Sequence, residues 1–210
     1  MTFTLEPLTH ADVPYYVRSH LEMTIQTYAH LVSPLFAASR WAERAAREAS
    51  THDEIDDADA ALAAGRDPFR RPWVAKNERG GIVGVMASGR GVEEWEPDAA
   101  ADLWRPPEAT WALAHLYTSV GVHGSGLAQR MLRAGLPSGE AAYLWCYVEN
   151  PRALAFYARN GFAPDGLEVL ATGSSPVWCA RRRDGGVLPA ERLGRRRHRR
   201  VGCRDRRVGR

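Results

Sequence analysis

The sequence has a single lysine, Lys76, among 28 basic residues, and only three cysteines in 210 positions. Cys146, Cys179 and Cys203 are too few and too scattered for a disulfide framework or a zinc site. No apolar run reaches the roughly 18 residues that a membrane-spanning helix requires. The opening MTFTLEPLTHADV has no basic stretch followed by an apolar block, so no secretory signal is read and a reducing, cytoplasmic setting is expected. The glycine-rich turn in mid-chain has no lysine beside it, which excludes a Walker A loop. It also lacks the three glycines of a GxGxxG dinucleotide fingerprint.

What is present is enough hydrophobic residue, 45%, for a core at this length, and the length suits one domain. The net charge of +3 hides two opposed parts. Residues 181–210 carry thirteen arginines against three acids, a net +10, while residues 1–180 carry 15 basic and 22 acidic residues, a net −7. The reading is an acidic domain over 1–180 with an Arg-rich tail over 181–210. The tail has sparse apolar residues and no period, so it is expected to be disordered. It is either an arm for nucleic acid or an acidic surface, or a dispensable extension.

Alternation over 3–8 predicts a first strand. Thr9 is placed as an N-cap with Asp12 as its acidic partner, opening a helix whose apolar positions are Val13, Tyr16, Val17, Leu21, Ile25, Tyr28 and Leu31. One amphipathic helix is expected over 35–49, and another from the acidic 53–59 stretch to Gly65. Two β-rich runs around Asn77–Gly81 predict a hairpin. Residues 93–108 read as an irregular loop or short helix between strands. Strand, helix, strand and helix follow at 111–120, 127–136, 141–149 and 151–161, then a final strand pair at 167–170 and 176–180.

The stretch VHGSGLAQRML, 122–132, sets Gly124, Ser125 and Gly126 directly before a helix. Two strands joined through a helix imply parallel pairing. The leading N–H groups of that helix lack partners within it, and the helix dipole adds positive potential, so the turn is a candidate cradle for phosphate or pyrophosphate. Glycine lets such a group approach without a Cβ in the way.

The turn is followed about twenty residues later by YVENPRALAFYARNGFAPDG, and together the two segments resemble the Gcn5-related N-acetyltransferase (GNAT) superfamily. The superfamily's turn pattern is Gln/Arg-x-x-Gly-x-Gly/Ala. Gly126 and Ala128 match it, while His123 stands where Gln or Arg is usual, which leaves the backbone donors intact. The resemblance spans roughly 1–180 and is strongest from Leu116 to Gly166. It implies an α/β fold: a mixed, twisted sheet with splayed central parallel strands, flanked by helices. It also implies acetyl-CoA as co-substrate. The backbone of Leu116, Tyr117 and Thr118 would lie along the pantetheine arm, like an added strand. The N–H groups of His123, Gly124, Ser125, Gly126, Leu127 and Ala128 would hold the pyrophosphate. Asn150 would hydrogen-bond near the cofactor arm or cap the helix that follows it. Tyr157 would protonate the departing thiolate, since a phenol stays protonated at neutral pH.

The general base is not assigned by the resemblance. The position that often carries Glu is Ala112 here, leaving His115 on the same strand, Glu108 before it, or an ordered water. Cys146, inside an apolar strand, reads as buried and inert. Trp95, Trp104 and Trp111 border the acceptor site, pack in the core or anchor a loop. The expected activity is acetyl transfer from acetyl-CoA to an amine of a small molecule or peptide, by direct attack in a ternary complex and without a metal. Two rivals stand beside it: a degenerate domain that binds acetyl-CoA without turnover, and nucleic-acid binding through the tail.

Overall fold

In the chain's computed structural model the N-terminal alternation becomes β1 (Phe3–Pro7). Residues 1–30, 34–90, 111–170 and 176–182 are described. The expected loop over 93–108, with Trp95, Trp104 and Glu108, lies outside them, as does the tail from 183 onward. The start of the first helix differs from expectation. A 3-10 turn, His10–Asp12, comes first, and Asp12 is the N-cap of α1 (Val13–Tyr28). Thr9 Oγ1 donates to Asp12 Oδ2 at 2.9 Å instead of capping the helix backbone. The sole lysine is used here: Lys76 Nζ bridges Glu6 at 2.8 Å and Asp12 at 2.9 Å, tying β1 to the helix start.

The helix expected over 35–49 is divided. α2 (Pro34–Ala42) ends just before Glu43, and α3 (Arg44–Ala63) continues through the acidic stretch without a break. Glu43 sits at the junction and takes Arg40 at 2.7 Å and Arg47 at 3.3 Å. Local propensity is helical on both sides, so composition carries no mark of this interruption. The hairpin forms as read, with β2 (Arg71–Asn77) and β3 (Ile82–Gly89); Asn77 Oδ1 accepts the N–H groups of Arg79 and Gly81 at 3.0 Å each.

The rest comprises β4 (Trp111–Thr118), α4 (Leu127–Gly135), β5 (Ala142–Tyr147), α5 (Pro151–Arg159), β6 (Ala163–Leu170) and β7 (Pro176–Arg182). β7 takes in Arg181 and Arg182, which pair with Tyr143 and Ala142, so the backbone stays in the sheet two residues past the change in composition. The seven strands run in the order β1-β2-β3-β4-β5-β7-β6, antiparallel except for the central β4–β5 pair.

Two apolar clusters cover the two faces. Val13, Tyr16, Val17 and Leu21 of α1 and Ile55 of α3 pack on Val74 and Val85. Leu127, Met131 and Leu132 of α4 pack on Ala75, Met86, Leu113 and Leu144, with Leu154, Phe156 and Tyr157 of α5 against them. Close packing is tight where α4 crosses β3: a Cβ on Gly135 would meet Met86 Cε and Ser88 Oγ. Ser88 Oγ already donates to the Gly135 carbonyl at 2.7 Å.

Candidate functional site

The site begins where the central strands part. β4 and β5 pair at only three positions, Trp111 with Ala142, Ala112 with Tyr143 and Leu113 with Leu144. Among the described residues, His115 to Thr118 pair with β3 alone. Leu116, Tyr117 and Thr118 therefore lie along an open strand edge, the geometry onto which an extended molecule can add as a strand. The register of β4 against β3 slips at the same place: Leu113 faces Ser88 and His115 faces Ala87, leaving Ala114 extra. Such a bulge reverses the side-chain alternation beyond it. Trp111, Leu113 and Leu116 join the α4-side cluster, while Tyr117 joins the α1 side, and His115 with it.

At the end of β4 a second 3-10 turn, Val120–Val122, leads into the glycines. Gly124 and Gly126 have φ of 80° and 81°, and a Cβ on either would meet none of the described residues within 4 Å. Alternate N–H groups are used up inside the turn. His123 donates to Val120 O, Ser125 to Val122 O, and Leu127 to Ser125 Oγ. The N–H groups of Gly124, Gly126 and Ala128 have no partner among the described residues. Gly126 is the N-cap of α4, so those donors sit at the positive end of that helix.

The His123 side chain turns back, its Nε2 3.1 Å from the Thr118 carbonyl. Burial holds its imidazole below the usual range, Arg152 acting in the same sense and the Thr118 bond against it. Asn150 caps α5: its Oδ1 accepts the Ala153 N–H at 3.1 Å. Tyr157 is half-buried on the α5 side, edge-on to Phe156 and Phe162 at 5.2 and 5.8 Å between centroids. Burial, with Cys146 and Tyr117 adding to it, raises its phenol above the ordinary range, so it is a proton donor at neutral pH. Cys146 is buried and unpaired, and burial pushes its thiol up to about 12.

From the opposite face comes a group of rings that the sequence did not bring together, although it offered His115 as a possible base. Tyr16, His20 and Tyr28 stand at multiples of four along α1, beside its apolar stripe, and meet His115 and Tyr117 of β4. His20 and His115 stack at 4.0 Å with 19° between planes. His115 Nε2 lies 2.8 Å from the Tyr16 hydroxyl, which donates to the Met86 carbonyl at 3.1 Å. Tyr28 lies 4.6 Å from the Tyr147 ring of β5. The fourfold row of rings on α1 was the available signal, but what it faces depends on the bulge. Ala112 sits at the paired end, 8% exposed between Gly89 and Tyr143, away from the opening. Among the described residues no group of His, Cys, Asp and Glu could hold a metal, and no helix is long and apolar enough to cross a membrane.

Residues 68–164 match the family model of the acetyltransferase (GNAT) domain. No curated protein matches the sequence. Among solved structures, an acetyltransferase related to histone acetyltransferase HPA2 from Corynebacterium glutamicum is 24% identical, with a TM-score of 0.62 over 90% of this chain and 99% of that one. PaiA N-acetyltransferase from Thermoplasma acidophilum, crystallised with coenzyme A, is 15% identical with a TM-score of 0.59 over 87% of this chain and 99% of its own. A GNAT-family acetyltransferase from Staphylococcus aureus is 13% identical, with a TM-score of 0.54 over 86% and 98%. At these identities the likeness is one of fold.

Proposed function

We propose that this chain, a member of the GNAT acetyltransferase superfamily, moves an acetyl group from acetyl-CoA to an amine of a small molecule or peptide, by direct attack in a ternary complex. The observation that carries this reading is the pairing of an open β4 edge with three bare N–H groups at the helix start just beyond it. The first suits an amide-bearing arm and the second a pyrophosphate, the two ends of one coenzyme A molecule. The Thermoplasma acidophilum neighbour, crystallised with coenzyme A, supports the same choice.

In this reading Gly124, Gly126 and Ala128 donate to the phosphates, and His123 and Ser125 shape the turn through their bonds to Thr118 and Val122. Leu116, Tyr117 and Thr118 align the arm. Asn150 starts α5 so that Tyr157 faces the split, where its hydroxyl returns a proton to the leaving sulfur. An unpaired buried thiol at Cys146 is in keeping with a reducing, cytoplasmic compartment.

Calorimetry with acetyl-CoA, followed by thiol release with spermidine, kanamycin and a peptide bearing a free α-amine, tests the proposal. Binding with release in at least one case is expected. Tyr157→Phe should bind acetyl-CoA as wild type does and turn over about 100-fold more slowly. Binding without release from any of these amines would leave an acetyl-CoA-binding module in place of the enzyme.

A further inference from the structure

The α1 side of the split holds chemistry that the transferase reading leaves unused. His115 is the second residue past the last β4–β5 pair, and the bulge at Ala114 turns it toward α1. Tyr16, 2% exposed, is fixed on that face by its hydrogen bond to the Met86 carbonyl. A phenol has one proton. With that proton directed at Met86, the Tyr16 oxygen can only accept from His115, so Nε2 carries the imidazole hydrogen and Nδ1 is left with a lone pair. Nδ1 has no hydrogen-bond partner among the described residues, and it is not among their buried, unpartnered polar atoms. His20 stacks flat on the ring and holds its plane.

We propose that His115 Nδ1 takes the proton of the acceptor amine, with Tyr16 as the positioning residue that fixes its tautomer. This rests on the transferase reading above. The acceptor nitrogen, arriving as the free amine, bonds to the thioester carbonyl carbon while its proton passes to Nδ1. The C–S bond breaks, and the sulfur takes the proton of Tyr157. The imidazolium then releases its proton to solvent and Tyr157 regains one, which closes the cycle.

The groups around the ring keep it neutral. Tyr16 and His20 face it from α1, Tyr117 from β4, Arg47 from α3, and Arg70 from the segment before β2. Glu54 of α3, the nearby carboxylate, is held by Arg70 at 2.9 Å. Burial first, then His20 and the two arginines, depress His115 well below the usual imidazole range. A base in that condition does not strip a proton from a free alkylammonium. It suits the nitrogen of a forming C–N bond, which is far more acidic, and it stays unprotonated over the working range. The acid limb of kcat/KM therefore follows the acceptor's own ionisation.

Two measurements test the assignment. The first needs no turnover. Nitrogen NMR of the His115 ring should report hydrogen on Nε2 and a bare, neutral Nδ1 from pH 5 to 8, with the preference lost in Tyr16→Phe. Hydrogen on Nδ1 would overturn the proposal. The second uses whichever of spermidine, kanamycin and the peptide turns over fastest. His115→Gln keeps a donor to Tyr16 but removes the lone pair, and should lower kcat at least 100-fold with acetyl-CoA affinity unchanged. Added imidazole should restore part of the loss in His115→Ala. Undiminished kcat in His115→Gln would remove His115 and leave the transferase reading intact. A wild-type protein that binds acetyl-CoA and releases no thiol would instead remove the transferase reading itself.

Discussion

Ala112 and Leu113 near the start of β4 have a strand on each side and are 8% and 4% exposed. Leu116, Tyr117 and Thr118, at the end of the same strand, have β3 alone and are half-buried. At the first end Ala112 and Leu113 are paired on both edges, and side-chain volume decides what is tolerated. At the second end the backbone itself is the surface on offer, and side chains from α1 and α5 approach it from opposite faces. One strand thus divides its labour, with the bulge at Ala114 marking the boundary.

The strongest way to break this comparison is at the open end. Gly126→Glu puts a side chain where φ is 81° and a carboxylate beside the bare N–H groups. No neighbour lies within 4 Å of the new Cβ, so the fold should persist, as read by circular dichroism. Acetyl-CoA affinity should fall at least about 100-fold by calorimetry, roughly 2.7 kcal/mol. A loss under threefold would mean the turn holds no phosphate.

The open end should also carry the pH dependence of stability. His20 is lowered to about 3 by burial, Arg47 and Arg70, and His115 is lowered as well. An unfolded imidazole titrates near 6.5, so as pH falls the unfolded chain takes up protons that the folded chain refuses. The stabilisation is complete above about pH 6.5 and is lost progressively toward His20's folded value near 3. Each imidazole should cost up to about 2 kcal/mol between pH 7 and 5, read by urea unfolding. His20→Phe should remove about half of that dependence. An unchanged slope would mean the stacked pair takes up protons in the folded protein.

The difference between the two ends also sets how far the sequence could be read. The run from the turn to Gly161 was legible because glycine, proline and helical spacing punctuate it. The parallel β4–β5 pair follows from the helix between those strands, and Gly126 could be chosen because only the backbone matters there. Three things were not legible. The division of α2 from α3 at Glu43 lies between segments of equal helical propensity. The 3-10 turn displaced the cap from Thr9 to Asp12. Most consequential, alternation along WALAHLYT places His115 on the same face as Leu113, whereas the extra residue at Ala114 sends it to the other. A bulge depends on the partner strand, so the imidazole's role could not be derived from β4 alone.

The paired end and the helix behind it should respond through stability and not through binding. In Gly135→Val the added carbons meet Met86 and Ser88, which cannot both retreat from a close-packed sheet face. A loss of about 1–3 kcal/mol in urea unfolding is expected, with acetyl-CoA affinity retained. Weakened binding at constant stability would show that strain from α4's far end reaches the turn.

The smallest effect sharpens the boundary at α5. Asn150 ends the loop after β5 and is near enough to the split for two roles, but its Oδ1 is already engaged by the Ala153 N–H. Asn150→Ala should therefore cost about 1 kcal/mol of stability, the usual worth of an N-cap. Acetyl-CoA affinity should change less than about twofold, since a capping oxygen has little left to offer a ligand. Thermal unfolding and calorimetry on one sample separate the two outcomes. A tenfold weaker Kd with an unchanged Tm would move Asn150 from the helix to the cofactor, and the open edge would then extend from β4 across to the end of β5.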